Sequence, residues 1–237
     1  DRGRFMWTKS ETSADGSHVV SLYSGLGDGS IDNPGTLSIV SDSDYTPMSY
    51  ANEDFGFLLN PEGGNGRVET WQPATDEGST LFQELRVTAV SGEDAHHAAW
   101  ASFVREYDKD ERPCTTTVAF TGFLEYEDQW SSCDLYPVSF SPDGRYAVAI
   151  DSRTEGLGPG ELIIVDTATG TRRMVFDVEV TQQVAWESND RLLFDAWHGT
   201  KVALVRCTVT GACERATFIR THDLGHDPRS PFTLPRQ

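Results

Sequence analysis

The segment GLGDGSIDNPG, residues 25–35, carries three oxygen-bearing side chains at alternate positions: Asp28, Ser30 and Asp32. Oxygen ligands spaced in this way on a glycine-rich loop can converge on a hard cation such as Ca²⁺. The bidentate glutamate that completes an EF-hand loop does not follow at its usual distance. The segment therefore predicts a calcium-like site, with a solvated loop as the alternative, and the sequence predicts no other cofactor.

The histidines offer two further metal candidates, His222 with His226 in THDLGHD and His96 with His97 in AHHAAW. On a helix the first pair would share a face, as in a metal site. A glycine between them and a proline just after them favour a loop instead. Consecutive residues on a strand point to opposite faces, so the second pair cannot easily bind one ion. Neither pair predicts a transition-metal site.

The overall charge excludes one class of partner. The chain has 37 acidic and 19 basic residues, a formal net charge of −18. A nucleic-acid binder needs a basic surface to neutralise phosphates, and this chain has no basic run. No apolar run reaches the length of a membrane span. The chain opens at DRGRFMW without a methionine, so we expect that a leader or anchor was removed.

Four cysteines fall into two local groups, Cys114 with Cys133 and Cys207 with Cys213. Neither spacing is that of a zinc site. In VRCTVTGACERA, a turn at Gly211 places the two flanking cysteines opposite each other on a hairpin, near the separation that a disulfide requires. The sequence therefore predicts two disulfides and an oxidising compartment, with four buried free thiols as the alternative.

A turn motif recurs along the chain and is clearest in VSFSPDGRYAVAID, residues 138–151. The copies are anchored on Asp15, Glu62, Glu93, Asp143 and Asn189, at intervals of 47, 31, 50 and 46 residues. Three intervals match the period of a propeller blade. The 31-residue interval indicates either a shortened blade or a misaligned anchor.

The clear copies share an order of four strands, as in YPVSF, RYAVAI, ELIIVD and TRRMVFD. The fifth gives QVAW, RLLFDAW, KVALVRC and CERATFI, and the first gives RFMWTK, HVVSLYS, GTLSIVS and TPMSYA. Four-stranded units at this period bury their faces by packing around an axis. The sequence predicts an all-β, single-domain β-propeller of five blades of four antiparallel strands; a β-sandwich and a jelly roll are the alternatives. The predicted blades are residues 5–50, 51–86, 87–133, 134–179 and 180–220, followed by a tail, 221–237, in which PFTLP either closes a blade as a strand or is simply pinned.

SPDGRYAVAI followed by ELIIVDTATG resembles the WD40-like, TolB-type propeller repeat of bacterial extracytoplasmic proteins. The resemblance is good over residues 134–217 and weak over 1–110. It implies a propeller used mainly as a rigid platform for protein contacts, which is in some cases appended to a hydrolase. The repeat itself contains no catalytic residue, so the resemblance transfers none.

The expected function is a non-catalytic binding or scaffold module, outside the cytoplasm, that meets a protein or glycan ligand at one face of the propeller as a monomer. Loops 25–35 and 151–160 are the expected contact regions. The alternative is a carbohydrate-active enzyme with carboxylates at a central funnel. The predicted inner strands FMWT, VTAV, VSF and VAW carry no acid, and no G-x-S-x-G motif is present, so no catalytic residue is predicted.

Overall fold

The architecture is that of a computed structural model. Its backbone is described for residues 4–12, 18–26, 37–40, 46–51, 55–60, 67–72, 77–82, 86–94, 97–122, 125–154, 160–179, 184–222, 230–232 and 234. Side chains are described for residues 86–91, 99–121, 125–154, 160–179, 184–222, 230–232 and 234.

These residues form β-strands, turns and irregular segments, without a helix, in five sheets whose strands follow one another in chain order. Sheet 1 contains β1 (Arg4–Thr12), β2 (His18–Leu26) and β3 (Leu37–Val40); sheet 2 contains β4 (Thr46–Ala51), β5 (Phe55–Asn60), β6 (Arg67–Gln72) and β7 (Glu77–Phe82); sheet 3 contains β8 (Arg86–Asp94), β9 (His97–Tyr107), β10 (Pro113–Gly122) and β11 (Glu125–Ser132); sheet 4 contains β12 (Leu135–Phe140), β13 (Tyr146–Asp151), β14 (Glu161–Asp166) and β15 (Arg172–Asp177); sheet 5 contains β16 (Val184–Ser188), β17 (Arg191–His198), β18 (Lys201–Thr208), β19 (Cys213–Arg215) and β20 (Arg220–Thr221).

Burial differs sharply between the two edges of the later sheets. The first strand of sheet 4 is mostly buried or half-buried, whereas its last strand, β15, is mostly exposed. Sheet 5 shows the same gradient, from the buried Ala185 and Trp186 of β16 to the fully exposed β19. The first strand of each of these sheets is therefore the inner edge and the last strand is the outer edge.

Sheets 4 and 5 pack face to face through one apolar cluster. Side chains alternate across a strand, so Val148 and Ile150 of β13 point to the same face and meet sheet 5. The other buried members of the cluster are Leu162, Ile164, Phe176, Trp186, Leu192, Phe194, Cys207 and Val209. Stacking of this kind removes from water a face that a single sheet cannot cover alone.

The chain divides into two compact units by its internal contacts. One comprises residues 1–104, 118–127 and 235–237, and the other comprises 105–117 and 128–234. In the first unit, Tyr126 meets the rings of Phe103 and Phe120 edge to face, each at a centroid distance of 5.8 Å. The second unit contains sheets 4 and 5. The assignment of all 237 residues to a single domain stays a prediction.

The sheet order corrects one anchor of the predicted repeat. Asp143 lies between the first and second strands of its sheet, but Glu62 lies between β5 and β6, the second and third strands of sheet 2. The matching connection joins β4 to β5 and contains Glu53, 38 residues after Asp15 and 40 before Glu93. The short interval therefore came from a misaligned anchor.

Two predicted strands also change place or length. TPMSYA, expected to end the first blade, is β4 and pairs with β5 in sheet 2. CERATFI, residues 213–219, expected as one outer strand, forms a strand only at β19, because residues 216–219 leave the ladder before β20 begins.

The tail segment PFTLP follows the pinned alternative over its described residues. Pro231 and Phe232 form a bend and not a strand. Phe232 is buried against Trp197, Val202 and Leu204 of sheet 5. The guanidinium of Arg220 lies 4.9 Å from the centre of the Phe232 ring, an arrangement that favours a cation–π contact.

Candidate functional site

Strand direction brings three connections of the second unit to one end of its sheets. Residues 108–112 join β9 to β10, residues 133–134 join β11 to β12, and residues 152–154 follow β13. Leu135, at the start of β12, pairs with Asp151, at the end of β13, so these connections share one end. We call residues 108–112, 133–134 and 151–154 the loop end.

The first connection is a tight turn held by Asp108. Its side chain accepts the backbone N–H groups of Asp110, at 2.8 Å, and Arg112, at 3.0 Å. These hydrogen bonds, the one from Arg112 foremost, and the Arg112 guanidinium hold the pKa of Asp108 below its ordinary value. Glu111 adopts a φ of 60°, which is uncommon for a residue other than glycine. The turn therefore presents an exposed Glu111 side chain from a constrained backbone.

Arginine side chains connect this turn to the other two connections. The Arg112 guanidinium lies 2.5 Å from Asp108, 3.3 Å from Asp110 and 3.7 Å from Asp134. Asp134 also binds Arg153 at 3.2 Å. Exposed ion pairs are individually weak, but here one carboxylate is shared by two arginines from different connections. The result is a continuous polar surface of both charges.

Covalent and backbone links fix the base of the loop end. Cys114, at the start of β10, forms a disulfide with Cys133. The Ser152 hydroxyl donates to the Cys133 carbonyl, and the Ser152 N–H donates to the Asp134 carbonyl at 3.2 Å. The Thr115 hydroxyl donates to the Leu135 carbonyl at 2.8 Å. These links hold the polar surface in one arrangement.

The opposite end of the sheets contains the recurring turns, whose polar groups hydrogen-bond one another. Asp143 accepts the Ser141 hydroxyl at 2.7 Å and the Arg145 N–H at 3.1 Å, and Gly144 has a φ of 67°. Ser188 and Asp190 repeat the hydroxyl–carboxylate bond in sheet 5, also at 2.7 Å. The repeated motif is thus a device that closes a hairpin.

The predicted calcium ligands Asp28, Ser30 and Asp32 lie outside the described residues, so that site stays a prediction. Loop 25–35 beyond the end of β2 and loop positions 155–159 also lie outside the described residues, as do His96 and His226. Among the residues whose structure is described, no three His, Cys, Asp or Glu side chains form a group that could hold a metal. The same residues include no helix long and apolar enough to cross a membrane.

His222 lies at the outer edge of sheet 5, and the ring of His222 meets the indole of Trp197 at 5.7 Å, edge to face. Trp197 donates its indole N–H to the buried Asp195 at 2.9 Å. His222 therefore contributes to packing in this structure.

The predicted disulfides are both present. Cys114 is joined to Cys133, and Cys207 is joined to Cys213 across a register pair of β18 and β19. The expectation of acid-free inner strands needs correction, because three of these strands are longer than predicted: β1 includes Glu11, β8 includes Glu93 and Asp94, and β16 includes Glu187. Glu187 is exposed and binds Arg206 through both carboxylate oxygens. This pairing raises the pKa of Arg206 and places the carboxylate in a surface ion pair.

Comparison with protein-family models and with curated protein sequences found no match. Solved structures do match. TolB from Acinetobacter baumannii is 11% identical, with a TM-score of 0.57, over 86% of this chain and 49% of that one. A TolB from Agrobacterium tumefaciens is 13% identical, with a TM-score of 0.55, over 93% and 82%. Prolyl oligopeptidase B from Galerina marginata is 10% identical, with a TM-score of 0.55, over 94% and 33%.

These similarities, together with the consecutive antiparallel sheets, show a TolB-like β-propeller fold. The predicted fold class is confirmed, and the number of blades stays a prediction. The chain spans about half the length of the Acinetobacter TolB. At these identities the likeness concerns the fold alone.

Proposed function

We propose that this chain is a non-catalytic binding module that acts outside the cytoplasm and meets a protein ligand at the loop end. The observation that carries the proposal is the shared carboxylate of Asp134, which joins Arg112 and Arg153 above the Cys114–Cys133 disulfide. A fixed surface of mixed charge favours specific contacts, because its groups need little reordering on binding.

Three further observations support this proposal. Disulfides persist in oxidising compartments, which fits an extracytoplasmic location. Rigid strands that carry variable loops are a common arrangement for binding sites. The TolB structures with the same fold come from bacteria, in keeping with the resemblance noted in residues 134–217.

The carbohydrate-active alternative needs two carboxylates at a defined separation across the scissile bond. On β12 and β16, the first strands of sheets 4 and 5, the acidic residue is Glu187, and its carboxylate is paired with Arg206. This pairing supports the binding module over the alternative.

The test compares surface variants in capture from the cells that produce the protein, combined with a glycan array. Arg153→Glu, which reverses a charge at the loop end, should abolish capture of the ligand. Arg172→Glu is the matched control, because Arg172 is exposed at the opposite end of sheet 4, and it should capture as the unmodified chain does. Equal capture by both variants, or cleavage of a glycan on the array, would contradict the proposal.

A further inference from the structure

The outer edge of sheet 5 contains a bulge that the strand register defines. Val205 pairs with Arg215, and Val202 pairs with Arg220. Three steps along β18 are therefore matched by five steps along the outer chain, so two additional residues are inserted. They lie between Thr217 and Arg220 and are Phe218 and Ile219, which we call the edge bulge.

The backbone around the edge bulge is well satisfied. Ala216 donates its N–H to the Leu204 carbonyl at 2.8 Å, and the Thr217 hydroxyl accepts the Leu204 N–H at 2.9 Å. The Cys207–Cys213 disulfide closes one side of this segment. On the other side, β20 returns to β18. The edge bulge is therefore held on one side by the disulfide and on the other by the pairing of β20 with β18.

The side chains of the edge bulge are exposed although both are large and apolar. Phe218 is 91% exposed and Ile219 is 54% exposed, which makes Phe218 the most exposed large apolar side chain of the described residues. Bulges commonly protect a sheet edge from unwanted pairing, usually with charged side chains. An apolar pair adds nothing to that protection and buries little within the fold, so an intermolecular contact is its best explanation.

The charge around the edge bulge is opposite to that of the whole chain. Residues 198–222 carry four cations and one acid, on a chain whose net charge is −18. The four cations are Lys201, Arg206, Arg215 and Arg220. Arg206 is paired with Glu214 at 3.0 Å and with Glu187 of β16, so Lys201, Arg215 and Arg220 supply the excess positive charge. Arg215 and Arg220 flank the apolar pair along the chain, so the patch is an apolar centre with a basic rim.

We propose that the edge bulge is a second docking surface for a partner protein whose apolar pocket is rimmed by carboxylates. Exposed aromatic residues and arginine are the side chains that most often dominate interface energetics, and charge complementarity selects an acidic rim. A second copy of this chain is disfavoured because two chains of charge −18 repel each other, and an anionic membrane is disfavoured for the same reason. This surface is separate from the loop end and does not depend on the function proposed there.

The experiment selects a phage-displayed random peptide library on the full chain, with prior depletion on Phe218→Ser. The selected peptides should contain aromatic or aliphatic residues flanked by Asp or Glu. Phe218→Ser and Arg215→Glu should each weaken binding of a selected peptide by about tenfold or more. Val175→Ser removes a 42% exposed valine from the outer strand of sheet 4 and should leave the affinity unchanged, as should Arg153→Glu at the loop end.

Four results would overturn this proposal. The first is a selection that yields no acidic peptides. The second is a selected peptide that binds Phe218→Ser and the unmodified chain with equal affinity, while hydrogen exchange of β18 is unchanged. A dimer in sedimentation that Phe218→Ser converts to a monomer would instead identify a second copy as the occupant. Flotation with anionic phosphatidylserine vesicles that Phe218→Ser abolishes would identify a membrane.

Discussion

The outer hairpins of sheets 4 and 5 have the same plan but different means of stabilisation. The turn of β14–β15 ends at Gly170, with a φ of 67°, and the turn of β18–β19 ends at Gly211, with a φ of 93°. In both turns a large side chain from the outer strand of the preceding sheet packs against this glycine. It is Trp130 at Gly170 and Met174 at Gly211.

The side chain at the turn glycine is more constrained in sheet 4. The Trp130 indole N–H donates to the Thr167 carbonyl at 2.7 Å, which fixes the ring over the turn. Arg173 binds Asp166 at 2.8 Å across the same hairpin. In sheet 5 the contact is a flexible methionine, Arg206 binds Glu214 at 3.0 Å across the hairpin, and the Cys207–Cys213 disulfide joins the two strands.

This difference follows the length of the outer strands. In sheet 4, β15 has six residues, five of which pair with residues of β14, so backbone bonds and side-chain contacts suffice. In sheet 5, β19 has three exposed residues before the edge bulge. A strand this short makes few backbone hydrogen bonds, so the disulfide holds β19 against β18. We infer that the disulfide allows the edge bulge to exist.

The largest expected effect comes from Gly170→Ala. A Cβ atom at this position would lie 2.7 Å from the Trp130 ring, and the positive φ disfavours an L side chain. Backbone strain and displacement of the hydrogen-bonded indole should together lower the free energy of unfolding by about 3 kcal/mol, measured by denaturant titration.

Gly211→Ala is the matched control for that substitution. Its Cβ atom would lie 2.6 Å from the Met174 methyl group, but methionine has flexible torsions and can move aside. The loss should be about 1–2 kcal/mol, mostly backbone strain. An equal loss for the two variants would show that the Trp130 contact is not the stronger one.

A smaller effect is expected from removal of the sheet 5 disulfide in Cys207→Ala/Cys213→Ala. The two cysteines are 6 residues apart, so the loop-entropy model gives a loss of about 2 kcal/mol. Hydrogen exchange should accelerate at β19 and remain unchanged at β15. Unchanged exchange at β19 would mean that the bulge needs no covalent support.

Strand positions could be predicted where local chemistry was sufficient. In sheet 4, Pro142-Asp143-Gly144 fixes a turn and ELIIVD is a buried strand, so all four strands follow from the sequence. The segment EYEDQWSS, which is β11, was not predicted as a strand because it is almost wholly exposed. Without a buried face it shows no apolar alternation, and tertiary pairing decides its structure.

The Cys207–Cys213 disulfide could also be predicted, because a turn at Gly211 fixes the cross-strand pair locally, and Cys114 and Cys133 are then the remaining pair. Residues 151–154 of the loop end lie within loop 151–160, an expected contact region, but their association with residues 108–112 and 133–134 could not be predicted. Arg153 and Asp134 are 19 residues apart and belong to different connections, and Arg112 comes from the preceding sheet. No periodicity brings these residues together; only the order and direction of strands does. The DKDER turn between two strands, ahead of a cysteine, was the available signal.

The smallest effect expected is the pH dependence that the Asp166–Arg173 ion pair gives to the sheet 4 hairpin. The hydrogen bond from Arg173 holds the pKa of Asp166 below its ordinary value, and Thr169 adds to this. A carboxyl whose pKa is lower in the folded state stabilises the fold above its unfolded pKa, and this contribution is lost as the pH falls through the folded pKa. The unmodified chain should therefore lose stability below the ordinary value of 3.8, and Asp166→Asn should lose less.

The measurement is the free energy of unfolding from neutral pH down to the acid limb, for the unmodified chain, Asp166→Asn and Asp177→Asn. Asp177 is exposed at the other end of β15 and makes no ion pair with the residues the structure describes. Asp177→Asn should therefore run parallel to the unmodified chain, while Asp166→Asn starts lower and descends less steeply. If Asp166→Asn keeps the slope of the unmodified chain, the Arg173 contact does not stabilise the sheet 4 hairpin, and the contrast between the two hairpins is reduced to Trp130 and the disulfide.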